Sequence, residues 1–197
     1  MSSGTAAIDE ALATFTGSGI SGRTAPGLVV SLTSYPARIG TVHRTLYSLL
    51  TQSLKPDAVV LWLTEEEFPG GEADIPDAVL ALRDNGLSIR WTANLRSYTK
   101  LVPALREFPY SAIVTADDDL FYHPDWLEGL FADYTNSNRR AMVYAHRAHR
   151  IALDEAGDIL PYGAWLHAAQ NIAGASFLNF ATGMGGTLYP PGSLHPD

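Results

Sequence analysis

Asp117, Asp118 and Asp119 stand side by side at the end of the apolar run Ala112-Ile113-Val114-Thr115-Ala116. Neighbouring carboxylates repel by about 1 kcal/mol per pair in water and about 4 kcal/mol near a protein surface, so a fold keeps such a trio where a cation offsets it. If the extended conformation continues through the trio, alternation puts Asp117 and Asp119 on one face and Asp118 on the other. An Asp-x-Asp pair on one face offers hard oxygen ligands, which suit Mg²⁺ or Mn²⁺ and leave positions for phosphate and water. The plain alternative is a solvated acidic loop closing a strand. The buried character of the residues before it favours the metal reading.

Other residues suit a phosphorylated ligand. Lys100 opens an apolar helical segment, where it would meet a diphosphate as a point charge aided by the helix dipole, or simply face solvent. Arg38 would hold a nucleotide or cap its own turn, and Tyr35 with Pro36 would pack a flat base or only that turn. His146, Arg147, His149 and Arg150 crowd four basic or titratable groups into five residues. They suit an anionic phosphate, metal ligation by one histidine, or a polar strand end. Gly183-Met184-Gly185-Gly186 lacks the spacing and the Lys-Ser/Thr ending of a phosphate loop and reads as the wall of a substrate cleft. Trp165, beside Tyr162 and Gly163, is the tryptophan placed to stack on an acceptor. Glu65, Glu66 and Glu67 read as a solvated loop. Gly-x-Ser-x-Gly, His-Glu-x-x-His and Cys-x-x-Cys do not occur, which removes the commonest hydrolase and zinc chemistries.

Such residues act together only if the fold gathers them. Leu28-Val29-Val30-Ser31-Leu32, residues 58–63, residues 87–91 and the run before the aspartates read as short buried strands. Between them lie helical patterns. Val42, Leu46, Leu49 and Leu50 recur at helical spacing, Pro76 and Gly86 bracket a second helix, residues 99–107 form a third around Pro103, and Pro124 opens a fourth reaching Tyr134. Strand and helix in alternation predict an α/β fold, a Rossmann-like, open, mostly parallel sheet with flanking helices. In such sheets ligands bind beyond the carboxyl ends of the strands. The 33–38 turn, the 94–100 turn and the acidic trio all fall there and should converge on one cleft. The later part is β-rich and smaller: a strand at 141–145, a hairpin at 151–160 and a further strand at 177–180. Residues 1–26, rich in Ser, Gly, Thr and Ala, read as a flexible arm with one short helical pattern at 6–15.

With 197 residues, 46% of them hydrophobic, the chain can bury a sizeable single core. A formal charge of −8 argues against a grip on nucleic acid or an anionic membrane. The chain has no cysteine, no apolar run of membrane-spanning length and no signal-peptide pattern at its start, so a soluble cytoplasmic protein is expected.

Five stretches taken in order resemble a known group. These are residues 31–38 (Ser-Leu-Thr-Ser-Tyr-Pro-Ala-Arg), 97–105 (Ser-Tyr-Thr-Lys-Leu-Val-Pro-Ala-Leu), 115–122, 146–149 (His-Arg-Ala-His) and 185–191 (Gly-Gly-Thr-Leu-Tyr-Pro-Pro). From Leu28 onward the chain resembles bacterial glycosyltransferases of the nucleotide-diphospho-sugar transferase superfamily, family 2-like, with the GT-A fold and links to polysaccharide synthesis. The resemblance implies a nucleoside-diphosphate sugar donor, a glycan or other hydroxyl acceptor, and Mn²⁺ or Mg²⁺ held by Asp117 and Asp119. It implies that Thr33, Tyr35, Arg38, Asn94, Lys100, Asp117 and Asp118 contact the donor. His146, Arg147, Trp165, Gly185 and Gly186 would lie on the acceptor side. Residues 27–140 would then be the nucleotide-binding half and 141–197 the acceptor-side half. Relatives carry Asp where this chain has Asn94, and continue past the position of Asp197 into an acidic, Trp-containing segment expected to hold the base. No catalytic base is assigned here. A non-catalytic nucleotide-sugar or glycan-binding module is the alternative.

Overall fold

The computed structural model describes residues 2–25, 27–137, 142–169 and 174–194. Four parallel strands, β1 (Leu28–Thr33), β2 (Ala58–Thr64), β3 (Leu87–Thr92) and β4 (Ala112–Thr115), lie in the order β3-β2-β1-β4. The sheet is extended to six strands by β5 (Tyr144–Ala145) and β8 (Thr187–Tyr189), with β8 antiparallel between β4 and β5. A separate pair, β6 (Ala148–Arg150) with β7 (Asn179–Ala181), forms a two-stranded antiparallel sheet. The fold is therefore α/β, with a mostly parallel sheet and flanking helices.

Strands β1, β2 and β4 read as mainly apolar runs because both faces of the sheet are covered there, whereas the edge strand β3 carries the exposed Arg90. On one face Val30, Leu32, Leu61 and Val114 pack with the helix residues Leu46 and Leu49. On the other, Val29, Val60, Trp62 and Ile113 pack with Ala104. Helix α1 (Ser2–Ala13) precedes the sheet, and α2 (Pro36–Ile39) and α3 (Val42–Leu50) follow β1. The apolar stripe of α3 is buried as its spacing predicts, at Val42, Leu46, Leu49 and Leu50. Helix α4 (Asp77–Leu80) tightens into a 3-10 turn (Ala81–Asn85) that ends at Gly86, whose φ of 105° is open to glycine at little steric penalty. Helix α5 (Val102–Glu107) is shorter than expected, since Pro103 fixes its first turn and Arg96–Tyr98 is a separate 3-10 turn. Lys100 thus lies between the two and not inside a helix. Helix α6 (Trp126–Asn136) starts two residues after Pro124.

The 6–15 pattern falls within and just after α1, where Asp9 accepts two 2.8 Å hydrogen bonds from Arg44 and the Phe15 ring meets Tyr47 edge-on at 5.4 Å. Of the strand expected at 141–145, Tyr144–Ala145 is β5, and Ala141 lies outside the described residues. The 151–160 hairpin closes through a Leu153–Ile159 bridge around Gly157. No helix among the described residues is long and apolar enough to cross a membrane.

Asp57 anchors the entry to β1. It is 6% exposed and accepts from Ser21 Oγ and from the backbone N–H groups of Gly27 at 2.8 Å and Leu28 at 2.9 Å. Burial alone would push this carboxyl up, but those hydrogen bonds, with the Arg23 charge, hold it below its ordinary 3.8. A depressed folded-state value means stability that is present above pH 3.8 and is lost as the pH falls through the lower folded value. Asp57→Asn is expected to lose about 1–2 kcal/mol at pH 7, with the deficit shrinking at pH 3. Urea denaturation at the two pH values reads the difference; an equal deficit at both would refute the assignment.

Candidate active site

Beyond the carboxyl ends of β1, β3 and β4 a cleft of about 290 Å³ opens, and its lining includes Thr33, Tyr35, Asn94, Lys100, Asp117 and Asp118. Segments separated by some eighty residues of sequence thus meet because parallel strands deliver their ends to the same edge. Each of the four parallel strands β1 to β4 closes on a threonine, Thr33, Thr64, Thr92 and Thr115. Thr33 donates to the Trp62 carbonyl at 2.9 Å.

The acidic trio does not continue β4. The strand stops at Thr115, and Asp118 and Asp119 lie in a turn. Strand alternation therefore fails to apply, and of the trio it is Asp117 and Asp118 that line the cleft rather than Asp117 and Asp119. Asp118 is 7% exposed. It accepts from Ser34 Oγ at 2.7 Å and from Arg38 Nη1 at 2.8 Å, and its carbonyl accepts from Thr45. The same Arg38 nitrogen lies 2.8 Å from Asp119, whose side chain is half exposed. The hydrogen bond to Asp118 and the charges of Asp118 and Asp119 hold the Arg38 guanidinium above its ordinary value, against a smaller effect of burial. Arg38 also stacks over the Tyr35 ring, 5.6 Å from its centroid.

Asp117 pairs instead with Lys100, whose Nζ also reaches the Ala116 carbonyl at 3.4 Å. Both backbones are pinned. Trp62 Nε1 donates to Ser31 Oγ at 2.9 Å, and Ser31 in turn donates to the Lys100 carbonyl. The Asp117 N–H donates to the Tyr122 hydroxyl at 2.7 Å. Burial, with the nearby acidic charges, pushes the Tyr122 phenol well above its ordinary range, although the Asp117 N–H opposes this, so it stays protonated. The charge offset inferred from sequence is therefore supplied in this structure by Arg38 and Lys100. Among the described residues no group of three or more histidine and acidic side chains forms a ready-made metal cage. Magnesium-type ions nevertheless use few protein carboxylates and complete their shells with phosphate and water. The hard-oxygen donor set of this trio fits such an ion.

Asn94 has a structural task as well as a place in the lining. Its Oδ1 accepts from the Arg96 N–H at 3.0 Å, and Thr99 Oγ1 accepts from the Leu95 N–H at 3.0 Å, closing a tight loop. Arg96 there holds a φ of 57°, uncommon outside glycine.

The carboxy-terminal candidates divide. Gly183 lies over the Lys100–Asp117 pair: a Cβ there would stand 3.6 Å from Asp117 Oδ1 and 3.8 Å from Lys100 Nζ. His146, Arg147, Trp165, Gly185 and Gly186 are not part of the cleft lining. Four of them brace the loop behind Gly183. Trp126 Nε1 donates to the Gly185 carbonyl, His146 Nε2 bonds the Trp126 carbonyl at 2.8 Å, Arg147 Nη1 meets Met184 Sδ at 3.0 Å, and Gly186 abuts the Trp126 indole. Trp165 packs edge-on against Tyr162 and Phe180. His149 is buried, with Nδ1 accepting the Ala168 N–H at 2.8 Å, and Arg150 donates to Asn179 Oδ1. Sequence reasoning passed over Ser34, Arg96, Ser97 and Thr99 and read Glu67 as part of a solvated loop, yet all five are in the lining. Glu67 is oriented by a 2.8 Å hydrogen bond from Thr64 Oγ1, and its position three residues after a strand-end threonine was the available signal.

No protein-family profile matches the chain, and no curated protein matches it. Among solved structures, the chain is similar to the mannosyltransferase PcManGT from Pyrobaculum calidifontis, in complex with GDP-Man and Mn²⁺, at 15% identity and a TM-score of 0.46. The likeness covers 76% of this chain and 45% of that one, so the chain spans less than half of the neighbour's length, and at this similarity it carries no argument about activity.

Proposed function

We propose that the chain is a metal-dependent glycosyltransferase that moves a sugar from a nucleoside-diphosphate sugar to an acceptor hydroxyl, in polysaccharide or glycoconjugate synthesis. The observation that carries this reading is the meeting of residues 33–35, 94–100 and 117–118 in one cleft at the carboxyl ends of parallel strands. Residues 33–35, 97–100 and 117–118 of those segments belong to the stretches whose sequence resembles nucleotide-diphospho-sugar transferases. In this reading Tyr35 packs the base, Thr33, Arg38, Asn94 and Asp118 position the nucleotide, and Lys100 meets the diphosphate. Asp117 and Asp119 would hold Mn²⁺ or Mg²⁺, which when bound supplies positive charge against the diphosphate. The acceptor oxygen attacks the anomeric carbon as the bond to the nucleoside diphosphate breaks, and Lys100 stabilises the charge gathering on that leaving group. His146, Arg147, Gly185 and Gly186 act on the acceptor side by bracing the loop that carries Gly183, and Trp165 stacks on the acceptor.

One observation favours a binding module without turnover. Among the described residues each carboxylate lining the cleft already has a partner, Glu67 in Thr64, Asp117 in Lys100 and Asp118 in Ser34 and Arg38, so a general base would have to give up a bond to act. Calorimetric titration of UDP- and GDP-sugars with and without Mn²⁺ tests the donor site. Mn²⁺ is expected to tighten donor binding about tenfold in the wild type and to lose that effect in Asp117→Ala. Release of free nucleoside diphosphate separates transferase from binder. Absence of donor affinity with every sugar nucleotide would overturn both.

A further inference from the structure

Resting on that reading of the cleft, we infer that Lys100 is an internal counter-ion that occupies Asp117 until a diphosphate and a divalent cation arrive together, so that the two ligands bind cooperatively and each binds poorly alone. The backbone around Lys100 is fixed, by Ser31 on its carbonyl and by the buried Thr99 before it, while the side chain is a flexible stem lining the cleft. Its ammonium can therefore leave Asp117 without moving the chain.

The three carboxylates are not equivalent in this respect. Arg38 cannot be released from Asp118 without stranding a buried charge, because Asp118 is 7% exposed and its other oxygen is satisfied by a neutral hydroxyl. Asp117 is more accessible than Asp118, with a side chain 24% exposed against 9% and its partner Lys100 at 18%, while the more exposed Asp119 shares its Arg38 nitrogen with the buried Asp118. A dication that takes Asp117 must displace the ammonium, which then stays within Coulombic reach of a like charge unless an anion receives it. A diphosphate arriving alone meets a lysine already neutralised by Asp117. With both present, the dication takes the carboxylate and the ammonium turns to a phosphate oxygen. Gly183 leaves the space above the pair open for that exchange, with no side chain to fill it.

The probes are Mn²⁺ alone, followed by the electron paramagnetic resonance of the free ion, and inorganic pyrophosphate, with correction for Mn²⁺ bound by free pyrophosphate. Lys100→Met is expected to bind Mn²⁺ alone about tenfold more tightly than the wild type, since its competitor for Asp117 is gone. Lys100→Arg should stay near wild type, and adding Asp117→Asn to Lys100→Met should abolish the gain. Pyrophosphate should tighten Mn²⁺ binding about tenfold in the wild type and clearly less in Lys100→Met. Lys100→Gln serves as the second neutral variant if the methionine variant does not give a native near-ultraviolet spectrum. Mn²⁺ affinity unchanged or weakened in a folded neutral variant overturns the inference. Pyrophosphate coupling without any sugar-nucleotide binding would leave the counter-ion role standing and remove the transferase reading.

Discussion

Gly186→Ala is expected to destabilise the protein by about 3 kcal/mol, combining a left-handed backbone penalty with overpacking against a rigid ring. Gly186 has a φ of 96°, and a Cβ there would lie 2.4 Å from Trp126 Cζ2 and 2.7 Å from Nε1. The indole cannot give way. It is 7% exposed, its Nε1 is bonded to the Gly185 carbonyl, and its ring lies 4.3 Å from that of Tyr122. Tyr122 in turn holds the Asp117 backbone, so strain at residue 186 reaches the cleft through two ring contacts. Gly185→Ala is the control. Its φ of 102° is just as unfavourable, but its Cβ would meet only the Cβ atoms of Arg147 and His146 at 3.7 Å, an ordinary contact. That variant should lose about 1 kcal/mol, the backbone share alone. Denaturation followed by tryptophan fluorescence separates the two; equal losses would show that the indole contact contributes nothing.

What could be read from the chain follows from how local the signals are. The strands from Leu28 to Thr115 and helix α3 were legible because burial on both sheet faces writes continuous apolar runs, and a single buried helical face writes a period of 3.6. The meeting of the 33–35, 94–100 and 117–118 segments followed from topology alone, since parallel strands share one carboxyl edge. Strand β8 was not legible. Three residues, Thr187 to Tyr189, carry no periodicity, and their pairing with Ile113, Val114 and Thr115 is a tertiary event. The geometry of the aspartates was missed because extending β4 through them ignored the pull of Ser34 and Arg38, residues about eighty positions earlier, which bends the chain into a turn at Asp118. Likewise the basic cluster at 146–150 looked like one unit, yet its residues went to different tasks: His146 to Trp126, Arg147 to Met184 and His149 into a buried contact with the Ala168 N–H. Residue types indicate which chemistry is available, whereas partners distant in sequence decide which atoms supply it.

That distinction bears on the aspartates most directly. Asp118→Ala should lower stability by about 3 kcal/mol, as breaking a buried, hydrogen-bonded charge pair does, with part of the usual loss offset because Arg38 retains Asp119. Ser34 is buried, at 3% exposed, and its hydroxyl would lose its acceptor, while Arg38 would keep one carboxylate, Asp119, whose side chain is 48% exposed, beside the Tyr35 ring. Asp118→Asn should lose less, about 1–2 kcal/mol, because the amide oxygen can still accept from one of the two donors. Asp117→Ala should change stability by under about 1 kcal/mol, since it severs one partly exposed pair and leaves the backbone bond to Tyr122 in place. A thermal denaturation series over the three variants, together with Arg38→Ala and the Asp118→Ala/Arg38→Ala double variant, measures the coupling directly. A coupling of about 1 kcal/mol or more between Arg38 and Asp118 is expected. Should Asp117→Ala prove the more damaging substitution, the division of labour would be reversed, with Asp118 as the ligand-facing carboxylate and Asp117 as the one that holds the turn. The middle aspartate fixes the turn and thereby sets the first at the mouth of the cleft, where the cation paired with it is the Lys100 ammonium.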